Sequence, residues 1–272
     1  MSEKDVIKKS SRPRTINTLT DDLRNIGVKK GTTLLVHSSM SSIGWICGGA
    51  VSVIIAIEQI IGDEGTLIMP AFSGDLSDPA KWENPPVPEQ WHGTIRETMP
   101  VFYPDLTPTR GLGVIPEVFR KQRGVLRSNH PQVSFAAWGK QAEYITGEHS
   151  LEYAFGGKSP LAKIYELDGY VLLIGIGYKN NTSLHLAECR ADYLSKKEEA
   201  CGTPLIVSGK RKWVDLKDIK SNTEDFEELG LAFMKEKKEL IKISNIGQAR
   251  SQFFRQRELV DFAVRWIKVN RK

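Results

Sequence analysis

Cysteine is scarce in this chain. Cys47, Cys189 and Cys201 form an odd, scattered set among 272 residues. No disulfide framework is expected, and a reducing compartment, the cytoplasm, is the expected location. Long apolar runs are also missing. None reaches the roughly 18 residues that span a bilayer, so no membrane partner is expected. The opening MSEKDVIKKSSRPRT lacks the apolar stretch of a secretory leader. Neither GxxxxGK[ST] nor GxGxxG occurs, which leaves out two common phosphate cradles. His185 and Cys189 stand at i, i+4, but no CxxC or HExxH completes a set, so no metal is expected. No GxSxG elbow marks a hydrolase serine, and Cys189, within a helix, reads as packing rather than as a nucleophile.

The net charge of +5 invites a nucleic-acid reading, yet the charge is uneven. From Glu58 to Asp105 nine acidic residues face only Lys81 and Arg96, a local net charge of −7. An acidic middle between basic flanks suits one cationic and one anionic ligand, and it equally suits an ordinary uneven surface. The basic runs KKSSRPR and GKRKW read as solvated surface, so no nucleic-acid partner is expected.

Strands and helices alternate along the chain. Residues 1 to 14 read as a mobile arm with some helical capacity. A helix opens near Thr18 or Thr20 and stops at Gly27 or Gly31. TTLLVHSS is a strand, AVSVIIAIEQII a helix ended by Gly62, and TLIMPAFSG a strand broken at Pro70. Segment 74–109 holds most of the prolines and reads as a lid or wall. LGVIPEVFRKQ is a helix; QVSFAAWG and GYVLLIGIG are strands. A hairpin near residue 206 suggests a mixed sheet, and EDFEELGLAFMKEKK and QARSQFFRQRELVDFAVRWIK read as amphipathic helices. The pattern predicts a three-layer α/β/α sandwich around a mostly parallel mixed sheet, as one domain over 1–272 with the proline-rich insertion at about 74–109.

Ligands of open α/β sheets bind beyond the carboxyl ends of the strands, and three strand ends here share a character. One carries His37, Ser38 and Ser39; one carries Ser73 and Gly74; one carries Asn180, Asn181, Thr182 and Ser183. If they are neighbours they form a rim of hydroxyls, amides and two histidines, whereas each alone is ordinary turn chemistry. The small residues of HSSMSSIGWICGG precede a helix, whose free N–H groups attract phosphate. TPTRGLG repeats the idea, with Arg110 as a bidentate partner or, equally, a surface ion pair. Asn181 or Thr182 is a good N-cap, which puts His185 in the first turn of its helix. The dipole there lowers imidazole basicity, while Glu188 at i+3 restores it and fixes the tautomer. A carboxylate from another loop is an alternative partner, and His130, before a proline, is an alternative base.

The ordered motifs VHSSMSSIGWICGGA, WENPPVPEQW, TPTRGLG, VLRSNHPQVSFAAWG, SPLAKIYELDGYVLLIGIG and NNTSLHLAE resemble the aminoglycoside 3-N-acetyltransferase family of antibiotic N-acetyltransferases. The resemblance runs from about Thr32 to Tyr193 and continues more weakly to ELVDFAVRWI. It implies a fold other than that of the GCN5-related acetyltransferases, with acetyl-coenzyme A as co-substrate. It also implies transfer to the 3-amino group of a 2-deoxystreptamine aminoglycoside in a ternary complex. The T-x-x-H-x-A-E motif falls on Thr182, His185 and Glu188, which makes His185 and Glu188 the implied catalytic pair. The coenzyme is expected on His37, Ser38, Ser39, Ser42, Ile43 and Gly44, and on Arg110, Leu112 and Gly113, with Lys140 a further phosphate partner. Oxyanion donors are expected near Ser73, Thr107 and Thr109. Asp75, Asp78, Glu83 and Glu89 are the expected ammonium contacts of a polycationic substrate. A homodimer is a possible assembly, and a same-fold acetyltransferase for another amine is the rival reading.

Overall fold

The computed structural model describes residues 2–272. The arm expected to be mobile folds as α1 (Glu3–Lys9), opened by a Ser2–Asp5 capping box. It lies against Trp45, whose indole N–H donates to Glu3 at 3.1 Å. Thr15 and Thr18 exchange side-chain-to-backbone hydrogen bonds, so α2 (Ile16–Ile26) opens earlier than its apolar residues suggest. Gly27, at φ 109, ends it. Then come β1 (Thr33–Ser38), α3 (Met40–Ile43), α4 (Gly49–Ile61) and β2 (Thr66–Pro70). Segment 74–109 holds three 3-10 turns and α5 (His92–Thr98).

The second half adds α6 (Val114–Phe119), β3 (Leu126–Arg127), β4 (Phe135–Gly139), α7 (Ala142–Thr146), α8 (Pro160–Glu166) and β5 (Tyr170–Ile174). Next are α9 (Ser183–Arg190), the paired strands β6 (Glu198–Val207) and β7 (Lys210–Ile219), and α10 (Phe226–Glu236). The chain closes with β8 (Lys242–Ile246), β9 (Ala249–Arg255) and α11 (Gln256–Asn270).

Seven strands form one mixed sheet in the order β3-β4-β2-β1-β5-β9-β8. Strand residues alternate between its two faces. Leu34, Val36, Leu67, Met69 and Leu172 join the core under α2, α4 and α6. Leu35, Ile68, Val171 and Leu173 join the core under α7 to α11. The sheet is mixed with helices on both faces, as expected, but its parallel share is smaller than expected. Only β1 pairs in parallel, with β2 and with β5; the other pairings in this sheet are antiparallel.

Two expectations are corrected. The hairpin near residue 206 forms a separate two-stranded sheet, and β3, β4, β8 and β9 supply the antiparallel pairings. QARSQFFRQRELVDFAVRWIK is not one helix, because its first part is β9. Phe253 and Phe254 go to opposite faces of the sheet, Phe253 stacking on Tyr170 at 4.7 Å and Phe254 near Tyr178 at 5.9 Å. The adjacent phenylalanines, one for each face, break the strand's alternation, and a short apolar run then reads equally as helix.

Candidate active site

The register brings the three strand ends together. Ser38 of β1 pairs with Ile174 of β5, and β2 runs along the other side of β1. β1 therefore has parallel neighbours on both sides, and the loops beyond the strand ends open a crevice.

The crevice narrows to a slot of about 250 Å³ lined by His37, Ser38, Phe72, Leu112, Thr182 and His185, among others. A cavity of about 550 Å³ shares Ser38, Gly111 and Leu112 with the slot and extends over Ser39, Gly44 and Trp45 to α1. A wider cavity of about 630 Å³ shares Phe72 with the slot and is walled by Trp82, Pro85 and Val87 of segment 74–109. Two rooms thus adjoin one passage, and His185 stands in the passage.

His185 is fixed on every side. Thr182 is the N-cap of α9, and Asn181 Oδ1 just ahead of it accepts from Ser183 N–H at 3.1 Å, so the imidazole belongs to the first turn. Nδ1 donates to Glu188 Oε2 at 2.8 Å, and the Ser221 hydroxyl lies 3.3 Å from the same nitrogen. Phe155 stacks on the ring at 4.5 Å, and Phe226 meets it edge-on at 5.0 Å. With Nδ1 committed to a carboxylate, Nε2 is the nitrogen left to accept a proton. The orienting carboxylate is thus Glu188 itself, the nearest in sequence.

His37 is buried and its Nε2 lies 3.3 Å from Thr182 Oγ1. Burial, helped by the charge of His185, pushes its pKa down to about 3, so the ring is neutral. His130, the alternative base, is also buried and stacks on His149 at 4.8 Å. Its Nδ1 accepts from Gln132 and Val133 N–H, and Nε2 faces the Leu151 carbonyl at 3.3 Å. Burial lowers it to about 4. It ties a turn together and lines none of the three cavities. Burial raises Cys189 to about 12, which suits packing.

Ser38, Ser39, Gly44, Leu112 and Gly113 line the first cavity. Ser42 instead turns away, donating to Ser39 Oγ at 2.9 Å and approaching the Gly175 carbonyl at 3.3 Å. The Ile43 side chain is fully buried in the core, so only its backbone remains for any ligand. Gly111 and Gly113 take φ of 72° and 83° with open space where a Cβ would stand, which keeps this loop low beside the slot.

The expected oxyanion donors are engaged elsewhere. Ser73 Oγ donates to the Pro131 carbonyl at 2.7 Å. Thr107 Oγ1 accepts from Tyr103 N–H at 3.0 Å. Thr109 donates to Glu117 through both its hydroxyl and its N–H, at 2.8 and 2.9 Å. None of the three lines a cavity.

The acidic wall is also different from expectation. Asp75 and Glu83 line the wider cavity, but Lys81 and Arg110 line it too. Arg110 pairs with Asp75 at 2.6 Å, so its guanidinium points to this cavity rather than to the first. Asp78 pairs with Arg96 at 2.7 Å and caps a 3-10 turn, and Glu89 stands exposed; neither lines the cavity. Lys140 pairs with Glu64 at 2.5 Å, away from all three cavities. The charged lining is therefore balanced, where the −7 of the sequence segment suggested a negative hollow.

The β6–β7 hairpin, which the sequence reading gave to the main sheet, takes part here instead. Thr203 Oγ1 and Gln132 Nε2 both donate to the Leu76 carbonyl. Lys81 reaches Glu199 and the Ala200 carbonyl, and Arg211 donates to the Met99 and Arg96 carbonyls. The hairpin clamps segment 74–109 in place. Basic side chains opposite a proline-rich run were the only signal available for it.

The fold recurs in known proteins. The family model for aminoglycoside 3-N-acetyltransferase matches residues 35–268. The chain is 47% identical over 265 residues to the SPbeta prophage-derived aminoglycoside N(3')-acetyltransferase-like protein YokD of Bacillus subtilis, covering 97% of this chain and 96% of that protein. The crystal structure of YokD superposes with a TM-score of 0.94, at 46% identity over 98% of each chain. The structure of AAC-IIIb in binary complex with CoASH gives 0.83 at 29% identity, covering 94% of this chain and 97% of the other. That of AAC-VIa bound to sisomicin gives 0.86 at 27% identity, covering 96% and 99%. The chain belongs to the aminoglycoside 3-N-acetyltransferase family of acyltransferases.

Proposed function

We propose that the protein transfers the acetyl group of acetyl-coenzyme A to an amine by direct transfer in a ternary complex. The acceptor of this reading is the 3-amino group of a 2-deoxystreptamine aminoglycoside. The observation that carries it is the pair of cavities adjoining one slot, with a fixed imidazole in the slot. The relatives with CoASH and with sisomicin bring both substrate classes to this fold.

The first cavity suits the coenzyme. It offers the Ser38, Ser39 and Ser41 hydroxyls and the start of α4, whose N–H groups and dipole favour phosphate oxygens. The pantetheine arm runs past Gly111 and Leu112 and brings the thioester into the slot. The amine comes from the wider cavity. His185 Nε2 takes a proton from the ammonium, and the freed amine attacks the thioester carbonyl. Glu188 stabilises the resulting imidazolium. Donors of the slot, the Ser38 hydroxyl and the backbone around Leu112, receive the oxyanion. The C–S bond then breaks, the departing thiolate takes the proton held by His185, and the amide nitrogen gives its second proton to the freed imidazole, which passes it to water. The reaction belongs to a reducing, acetyl-CoA-containing compartment, the cytoplasm, and the whole chain acts as one catalytic unit with segment 74–109 as the acceptor wall.

The balanced charge of the wider cavity favours a second reading, an acceptor amine less cationic than an aminoglycoside. One experiment addresses both. Thiol release from acetyl-CoA is followed with kanamycin- and neomycin-type compounds, simple polyamines and monoamines. Turnover only with the first group supports the aminoglycoside reading; turnover only with monoamines supports the second. His185→Ala is expected to lower kcat by about 10²–10⁴-fold with coenzyme binding by calorimetry unchanged. Unimpaired turnover in that variant removes the mechanism.

A further inference from the structure

Glu188 does not hold His185 alone. Its other oxygen, Oε1, accepts from Arg271 Nη1 at 2.6 Å and from Asn222 N–H at 2.9 Å. The guanidinium is gripped in turn. Nε and Nη2 donate to the two Asp225 oxygens at 2.7 and 2.6 Å, and Nη2 also donates to the Asn222 carbonyl at 2.8 Å. Tyr193 and Phe226 lie 5.5 and 5.9 Å from its central carbon. The Glu188 and Arg271 side chains are only 2% and 5% exposed. The line His185–Glu188–Arg271–Asp225 therefore joins α9, the residue just past α11 and the entry to α10.

Arg271 is the C-cap residue of α11. An arginine at a helix end normally reaches into solvent. This one uses every nitrogen of its fork on buried or half-buried acceptors, which a lysine cannot reproduce. A bare carboxylate beside an imidazole also favours the charged ring. A base must stay neutral near the working pH, so a cation on the far side of Glu188 has a chemical consequence as well as a mechanical one.

We propose that Arg271 is a positioning residue, which through Glu188 fixes the His185 ring and offsets the negative charge beside it. This rests on the reading of His185 as the base. The charged and titratable groups around the ring are Glu188 on α9, His37 on β1, Asp218 on β7 and Lys179 before α9. Arg271, Asp225 and Tyr193 stand behind Glu188. Among these, Arg271 is the cation bonded to the carboxylate that touches the ring.

The test compares the full-length protein with Arg271→Gln and Arg271→Lys. Two readouts are taken: the NMR titration of the His185 imidazole, and the acid limb of kcat/KM for acetyl-CoA-dependent turnover. Removing the positive charge leaves Glu188 less balanced. Arg271→Gln is therefore expected to move both upward by about one pH unit. Activity near pH 7 then falls several-fold and recovers towards pH 9. Arg271→Lys keeps the charge but loses the fork, so it falls between wild type and the Gln variant. A Gln variant that is folded by circular dichroism and titrates like wild type overturns the proposal. So does one that loses activity equally at every pH. If the Gln variant does not fold, the Lys variant decides, and a limb superimposable on wild type overturns it. A shifted titration in a protein without acetyl transfer supports the wiring and sinks the acetyl-transfer reading. Transfer that depends on His185 with an unmoved titration does the reverse.

Discussion

The region behind His185 and the region in front of it are held by different physics. Behind the ring, Glu188 and Arg271 are almost wholly buried; one short hydrogen bond joins them, and another joins Glu188 to the ring. In front, segment 74–109 is fastened by pairs that water reaches: Lys81–Glu199 at 48% and 32% exposure, and Arg110–Asp75 at 53% and 52%. Breaking a buried pair strands an uncompensated charge, which typically costs about 3–5 kcal/mol. An exposed pair is screened and typically contributes about 1 kcal/mol or less. The wall's charges can therefore be exchanged at little cost in stability, and those behind His185 cannot. Such a division suits an enzyme whose chemistry is constant and whose acceptor varies.

The largest expected contrast between the regions is with pH. His37, His130 and His149 are buried and neutral, with pKa values pushed by burial from 6.5 down to about 3, 4 and 3. The neighbouring ring charges of His185 and His130 add to the first and third of these. Below pH 6.5 the unfolded chain binds protons that the folded protein refuses. Stability is therefore complete above 6.5 and falls as pH drops towards the folded values. Between pH 7.5 and 5 the loss is about 2 kcal/mol per histidine. Urea denaturation at pH 7.5, 6 and 5 measures it, and a flat profile would mean that these rings are solvated or already charged. None of the three histidines lines the wider cavity, so cavity mutants should share the wild-type slope.

A smaller effect sharpens the comparison at the acceptor side. Arg110→Ala removes one positive charge from the wider cavity and frees Asp75. A unit charge some 6 Å from a solvated ammonium is worth about 0.7 kcal/mol, so KM for a cationic amine should fall about threefold at low salt. The gain should fade near 0.5 M salt. If Arg110 instead serves the coenzyme phosphates, the same variant raises KM for acetyl-CoA and leaves the amine unaffected. Steady-state kinetics in both substrates separates the two.

The two regions also differ in how far they can be read from sequence. The His185 site was legible because its determinants are local: a polar turn ending in the N-cap Thr182, a first-turn imidazole and a carboxylate at i+3, all following a strand end. The neighbouring ends of β1 and β5 follow from the same α/β alternation. Arg271 was invisible, since it meets Glu188 from 83 residues away and no periodicity announces such a pairing. The wall was misread for a related reason. Local charge is a sum over neighbours in sequence, whereas Asp78 and Asp75 find their cations 18 and 35 residues on, at Arg96 and Arg110. Ser73 and Thr109 looked like free donors because a hydroxyl's partner, here the Pro131 carbonyl or Glu117, is equally non-local. β9 read as helix because its Phe253–Phe254 doublet, one ring for each face, breaks the strand's alternation.

The smallest prediction concerns the pair that most resembles a structural anchor. Asp78 Oδ1 accepts from Arg96 Nε and Nη2 at 3.2 and 2.7 Å and also from Ala80 N–H at 3.0 Å. Its carboxyl stands below the usual range. Burial opposes that shift, and the bonds to Arg96 and Ala80 outweigh it. The geometry is good, but the side chains are 22% and 35% exposed, and the Arg96 and Met99 carbonyls are held independently by Arg211. Asp78→Asn keeps the turn-capping oxygen and loses only the charge. Its cost should therefore stay below about 1 kcal/mol, with KM for any amine unchanged, because Asp78 does not line the cavity. A loss of several kcal/mol by urea denaturation would mean that the wall is wired as tightly as the centre. An increase in amine KM of tenfold or more would mean that Asp78 turns into the cavity when the acceptor binds.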